Sequence, residues 1–445
     1  MAHAKAAKVV PVWHETSAGN AATCSAFMVI AASFQMTRLD DGAMRLREGL
    51  TVWQAGVREQ TPPERLRAPR SIETDILVVG AGITGAFVAE RLTRSGARVA
   101  LVDRHAPATG STAASTAMLL WELDAPLLEL EQHFGAEAAG LIAHQCRRQV
   151  QEIGALVNGL GIACDLAFRP SLYLAGDKLD AVDLREEHLL RAHLGIEGGC
   201  LGAGELAQRG FVGEGGLLYQ GSAEVDPVKL ARGLLAVALR RGAELVCPAT
   251  AMVYEALSDH VRIVTREGDI ISARTLILAN GYEMPDFVPA TRHSIATTWA
   301  VATTCAQACA WPDDALVWEA SDPYLYMRAT ADGRVIIGGS DQPAMEQEEA
   351  RKLIDGKARE LQEAGAARCP GVVGAEIEYA WSGQFGETDD SLPLIGAVPG
   401  RPGCFVAYGY GGNGITFSAL AAEMLAAALD REEHPMAGKC ALDRG

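Results

Sequence analysis

Short β-branched runs that end in glycine alternate with stretches of helical period along most of this chain. Residues 75–80, Asp-Ile-Leu-Val-Val-Gly, predict a strand buried on both faces in a parallel sheet. A helical pattern covers 86–96 and stops at Gly96, and 97–103 returns to an apolar run. Strand, helix and strand then make one right-handed βαβ unit. Residues 127–160 read as amphipathic helix, with charges at Glu129, Glu131, Arg147, Arg148 and Glu152. Residues 169–176 predict a strand. In 225–246 a helix feeds a strand, with Asp226 as N-cap and Pro227 at the first helical position. A hairpin followed by a buried strand fits 260–281. Strand-rich stretches at 291–305 and 315–340, with Asp332-Gly333 as a turn, suit an antiparallel sheet. A helix is expected at 346–364, and a last strand at 404–409 leads into a glycine-rich turn and a final helix.

Helix-bearing parallel units therefore occur in three separated places around an antiparallel block. With 445 residues, two domains or one domain with a large insertion are expected. The formal net charge of -17 argues against a nucleic-acid partner and disfavours an anionic membrane surface. No run of 18 apolar residues suggests a membrane span. The ten cysteines contain no CxxC. Cys305 and Cys309, four apart in a strand-like run, read as small buried apolar residues rather than a zinc or redox pair. Reduced thiols fit a cytoplasmic protein.

The first 43 residues show no clear periodicity. Residues 21–34 have the apolar character of a signal-peptide core but lack a compact basic region before them. A flexible extension is expected there, or a true start at Met36 or Met44. Residues 45–73 form a polar arm with prolines and arginines.

The first glycine cluster carries the clearest chemistry. Gly80-x-Gly82-x-x-Gly85 lies between a strand and a helix, and Asp103 ends the next strand. Gly80 permits a tight turn, Gly82 lets backbone approach a pyrophosphate, and Gly85 allows close helix–strand packing. A dinucleotide would place its pyrophosphate at the positive helix end, with Asp103 on the adenosine ribose. The loop alone leaves NAD and FAD open. The ten histidines show no HxH or HxxxH spacing, so no metal site is expected. A Gly-x-Ser-x-Gly elbow is also absent.

A wider ordered set of segments narrows the choice. It comprises Arg104 to Ser115 with its hydroxyl-bearing small residues, 275–281 (TLILANG), 381–396 (WSGQFGETDDSLPLIG) and 408–417 (YGYGGNGITF). Together they resemble the D-amino acid oxidase superfamily of FAD-dependent oxidoreductases, and most of all its branch of glycine and sarcosine oxidases and gamma-glutamylputrescine oxidoreductase. The resemblance spans about 45–434. It implies an α/β fold, a discontinuous Rossmann-type FAD-binding domain of the glutathione reductase kind with an inserted α+β substrate domain on an antiparallel sheet. The FAD-binding parts would be 71–165, 221–290 and 375–434, and the substrate parts 166–220 and 291–374, after an extension and partly disordered arm over 1–70.

The same resemblance assigns residues. Gly80, Gly82, Ile83, Thr84 and Gly85 would hold the pyrophosphate, with Asp103 and Arg104 at the ribose end. Ser111, Thr112, Ala114, Ser115 and Met118 would run beside the ribityl chain and ring. Met252 would present backbone to the adenine, and Ala279 and Gly281 would pass close to the cofactor. Gly409, Gly411, Gly412 and Gly414 would let backbone approach the flavin, with Asn413, Ile415 and Thr416 along its edge and a helix end favouring the reduced anion. Sarcosine oxidases carry lysine where Thr416 stands. Relatives with covalent flavin use a cysteine near 381–385, which this sequence lacks, so FAD would be non-covalent. Tyr324, Tyr326 and Arg328 alternate along a strand and share a face. Arg328 would clamp a substrate carboxylate, although packing and structural pairing are equally served by these residue types. The implied reaction is oxidation of a small amine or amino acid to an imine, with electrons passing to dioxygen or, in a dehydrogenase, to a quinone or protein acceptor.

Overall fold

The computed structural model describes residues 47–54, 70–257, 259–289, 292–304 and 311–444, together with the backbone pairing of Thr37–Arg38. All of these belong to the compact unit Thr37–Gly445. The apolar run at 71–103 builds the centre of the first sheet. Ser71–Val79 and Val99–Val102 pair in parallel, Ile76 opposite Val99 and Val79 opposite Val102. Glu244–Val246 extends this sheet on one side, and Ile270–Leu278 and then Cys404–Tyr408 extend it on the other, all parallel. Ala251–Ala256 and Val261–Thr265 add an antiparallel flap to the start of Ile270–Leu278. Five parallel strands drawn from three stretches of chain thus form one doubly covered sheet, as the fold class expected from the sequence requires.

Three helices cover one face of it. Ile83–Thr93 packs against both Pro227–Arg240 and Gly414–Leu429. Asp226 caps Pro227–Arg240 as expected, its carboxylate accepting the N–H groups of Val228 at 3.0 Å and Lys229 at 2.9 Å. By length and composition Gly411–Leu429 is apolar enough to cross a membrane. In this fold it is a core helix, packed against Ile83–Thr93 and Ala136–Leu160, with Phe417, Leu420 and Ala421 fully buried. The long helical stretch at 127–160 is in fact two helices, Leu127–Phe134 and Ala136–Leu160, because Gly135 adopts a φ of 82° between them.

The second sheet is the largely antiparallel block, in which Leu316–Glu319 and Ala167–Leu174 pair in parallel. His293–Thr303 pairs with Val335–Pro343 on one side and Ile377–Thr388 on the other. Beyond Val335–Pro343 come Leu325–Ala329, Leu316–Glu319, Ala167–Leu174 and Gly215–Glu224. Two boundaries differ from the expected division. Ile377–Thr388 falls in a stretch read as cofactor domain, yet its backbone pairs along the whole of His293–Thr303. Gly215–Glu224 straddles position 221 as one continuous strand. The arm at 45–73 also contributes structure: Arg47–Gly49 pairs with Trp381, Ser382 and Gly383 as an edge strand, and Val52–Gln54 forms a 3₁₀ turn. The segment at 21–34, the candidate starts Met36 and Met44, and the pair Cys305 and Cys309 lie outside the described residues.

The Asp226 cap gives a first expected outcome. Asp226→Ala should lower the free energy of unfolding by about 1 kcal/mol in urea titration, with an unchanged denaturant slope. No loss would mean that Pro227 alone sets the helix start.

Candidate functional site

The parallel sheet ends at two glycine turns, and a cavity of about 1410 Å³ joins them. At the first turn Gly80 has a φ of 108°, and a β-carbon there would stand 2.2 Å from the Ala279 carbonyl oxygen on the neighbouring strand. A β-carbon on Gly85 would be 1.9 Å from the Gly80 carbonyl oxygen, so this glycine serves helix–strand contact and lies off the cavity wall. Gly82 faces the cavity, where a β-carbon would meet only the Thr112 hydroxyl, at 3.2 Å. That hydroxyl accepts the Ile83 N–H at 3.0 Å.

Asp103 lines the same end of the cavity, but its carboxylate first organises backbone. One oxygen accepts the Ala81 N–H at 2.7 Å and the other the His105 N–H at 2.8 Å. Burial raises its pKa while these two donors work in the opposite direction. Arg104 pairs with Glu283, and both lie on the wall. Thr84 lines the cavity, yet its hydroxyl is engaged with Tyr410 at 3.3 Å and Ser418 at 2.8 Å. This contact ties the start of Ile83–Thr93 to the start of Gly414–Leu429 and so fixes the two turns relative to each other.

Between the turns run Ser111, Thr112, Ala114, Ser115 and Met118, all on the wall. The far sheet locks this segment in place. Ser111 donates its hydroxyl to the Gln384 carbonyl at 3.3 Å, and the Ala114 carbonyl accepts the Trp381 indole N–H at 2.8 Å. The Ser115 carbonyl accepts the Trp53 indole N–H at 2.7 Å. Trp53 and Arg47, which line the cavity from the arm, have no counterpart in the residues expected from the sequence.

Ala279, Gly281, Gly411, Gly412, Asn413, Gly414 and Ile415 also reach the wall. Gly409 does not: its φ is 73° and a β-carbon there would meet the Thr388 methyl at 2.9 Å. Thr416 is likewise withdrawn, donating its hydroxyl to the Leu120 carbonyl at 3.1 Å. The Asn413 amide donates to the Glu122 carbonyl at 2.7 Å, so it braces the turn while its residue lines the cavity. Met252 is off the wall, and Thr250 and Ala251 line it instead. A shift of one residue along a strand moves a side chain to the opposite face. A bulge between Ala251 and Val253 adds to the offset.

Beyond the second turn the cavity meets the antiparallel sheet at Thr298, Trp318, Tyr324 and Tyr326. The Tyr326 and Thr298 hydroxyls lie 3.3 Å apart. Burial raises the pKa of both tyrosines, so they are neutral hydroxyls at ordinary pH. Trp318 stacks on Tyr173 with ring centroids 3.8 Å apart. Arg328 shares the strand but not the cavity. It is 3 % exposed, pairs with Glu224 at 2.8 Å, and donates to the carbonyls of Thr116 at 2.7 Å and Val225 at 3.0 Å. With its donors engaged in this way it does not reach a cavity ligand, and the expected carboxylate clamp is corrected to a structural ion pair. Asp124, on the wall beside the second turn, was not anticipated. It precedes Pro126 in a stretch with no glycine or periodic signal. Among the described residues no group of three or more His, Cys, Asp or Glu could hold a metal ion.

The Glu224–Arg328 pair is testable by stability. Glu224→Ala leaves a buried guanidinium without its counter-charge and should cost about 3–5 kcal/mol. Glu244→Ala, which breaks an exposed pair with Arg70, should cost at most about 1 kcal/mol. Equal losses in thermal melts would show that Glu224 does not hold Arg328.

A cradle of this form suits a dinucleotide with a second, ring-bearing half: one glycine turn at each end, and neither following helix capped by a side chain of the residue before it. Comparison with known proteins agrees. The family model for FAD dependent oxidoreductases (DAO) matches residues 75–428. Glycine oxidase of Geobacillus kaustophilus (strain HTA426) is 24% identical over 371 residues, 81% of this chain and 93% of that protein. The tRNA 5-methylaminomethyl-2-thiouridine biosynthesis bifunctional protein MnmC of Ralstonia nicotianae is 28% identical over 431 residues, and there the match spans 61% of the relative's length. The crystal structure of glycine oxidase from Geobacillus kaustophilus superposes with a TM-score of 0.71 at 22% identity, covering 84% of this chain and 99% of that one. The chain belongs to the DAO family of FAD-dependent oxidoreductases, and FAD is its cofactor.

Proposed function

We propose that this protein oxidises the carbon–nitrogen bond of an amine or amino acid to an imine, which water then hydrolyses. Dioxygen is the electron acceptor and hydrogen peroxide the co-product. FAD supplies the two-electron chemistry, accepting a hydride from the substrate α-carbon. The observation that carries this reading is the continuity of one cavity from both glycine turns to Thr298, Tyr324 and Tyr326. At that end the described wall offers neutral hydroxyls, an indole and one carboxylate, without histidine, cysteine or lysine. Such groups position a substrate and exclude water, and a neutral amine needs no protein base to lose a hydride. The dipole of the helix Gly414–Leu429 favours negative charge that develops near its N-terminus.

Two outcomes follow. Aerobic turnover with a substrate amine should release one peroxide per amine oxidised, measured by a peroxidase-coupled assay. Turnover that reduces a quinone without peroxide would instead make the protein a dehydrogenase. No cysteine stands among the described residues of the cavity wall, so acid precipitation should leave the yellow colour in the supernatant. Colour retained in the protein pellet would overturn non-covalent binding.

A further inference from the structure

The wall beside the second glycine turn holds a carboxylate that has no ion-pair partner among the described residues. Asp124 accepts the Gly412 N–H at 2.6 Å through one oxygen. A β-carbon built on Gly412 would stand 2.6 Å from its other oxygen and 3.0 Å from the Tyr324 hydroxyl. Carboxylate, turn and tyrosine therefore meet at one point of the cavity. Tyr324 and Tyr326 continue the wall from there, with ring centroids 5.3 Å apart.

The charges around this point have one sign. Among the described residues no lysine or arginine forms an ion pair with Asp124; burial raises its pKa, while the Gly412 N–H and Lys178, an exposed side chain 3.9 Å from Asp322, work in the opposite direction. Asp341 is pushed up to about 7, first by burial and then by Glu387, Asp124 and Asp322. Glu387 is raised by burial and by Asp124 and Asp322. Arg328, the arginine on the tyrosine strand, is neutralised by Glu224 and turned away. A carboxylate removed from water needs a counter-charge, and aromatic rings beside it attract a cation further. A ligand carboxylate in the same place would face like charge from Asp124 and no guanidinium.

From this arrangement we propose that the substrate is a cationic alkylamine without a carboxylate, its ammonium group held by Asp124 beside Tyr324 and Tyr326 and passing its proton to that carboxylate, so that the neutral amine is what loses the hydride. For turnover the proposal rests on the amine-oxidation reading above; for binding it rests on the cavity alone. Asp124 is thus a specificity-determining residue that also accepts the Gly412 N–H of the turn.

The test uses the FAD-loaded protein in two arms. In the first, two isosteric probes that cannot form an imine, tert-butylammonium and pivalate, are titrated while the flavin absorption spectrum is followed. The ammonium should perturb the spectrum saturably and pivalate should not. Asp124→Asn, which keeps an acceptor for Gly412 while removing the charge, should weaken ammonium binding by at least about 30-fold. Perturbation by pivalate alone, by neither probe, or by the ammonium equally in wild type and Asp124→Asn would overturn the proposal. In the second arm 1,4-diaminobutane, N-methylbutylamine, glycine, sarcosine and proline are compared for anaerobic bleaching of the flavin. The two amines should bleach at far lower concentration than the amino acids, and Asp124→Asn should raise their KM and lower kcat, the loss in kcat shrinking as the pH rises and neutral amine becomes abundant. Preference for the amino acids would overturn the proposal. If nothing bleaches but the first arm succeeds, the oxidation reading fails and the cationic site stands.

Discussion

The contact on which the site depends is a buried set of three hydroxyls. Thr84 at the first glycine turn meets Tyr410 and Ser418 at the second. Each turn by itself is a local device, built from glycine geometry and the start of a helix. Only their relative placement makes a cradle long enough for a dinucleotide and its ring. Thr84 and Ser418 are well shielded from water, where a hydroxyl left without a partner is costly. Sliding one helix start along the other would break this set, so the spacing of the two turns is well determined.

The far sheet then defines what else can enter. Trp381 and Trp53 hold the carbonyls of Ala114 and Ser115 in the segment between the turns, and both belong to one apolar cluster. That segment is a single short helix, Ser111–Ala114, with few contacts of its own kind. Its backbone is fixed largely by side chains from elsewhere. Electrostatics divide the same region in two. Arg328 and Glu224 cancel each other behind the wall, while the Asp124 carboxyl faces the cavity with no ion-pair partner among the described residues.

Features set by local pattern were the ones legible in the sequence. The strand–glycine–helix units at 75–96 and 404–429 follow from apolar runs, glycine and helical period, and the Asp226 cap from residue type alone. Pairing over distance left no such mark. Nothing in the composition of 45–54 says that Arg47–Gly49 will join Ile377–Thr388. Asp124 becomes meaningful only once Gly412 and Tyr324 are beside it. Arg328 has the residue type of a ligand clamp, and only the position of Glu224, far away in sequence, shows it to be a structural partner. Met252 illustrates the finest limit, since register within a strand decides which face a residue takes.

The edge strand at Arg47–Gly49 bears on the order of assembly during synthesis. Its partner residues Trp381 to Gly383 leave the ribosome long after it does. Until then the arm has no sheet to join, and Trp53 has no settled cavity to line. Closing so distant a pair is slow compared with pairing Ser71–Val79 with Val99–Val102, which are close in sequence. The nucleotide end can therefore take shape on a growing chain while the ring end is still open on one side. Flavin would be captured only after Trp381 to Gly383 have been made, and Arg47–Gly49 would settle later than the strands that follow it.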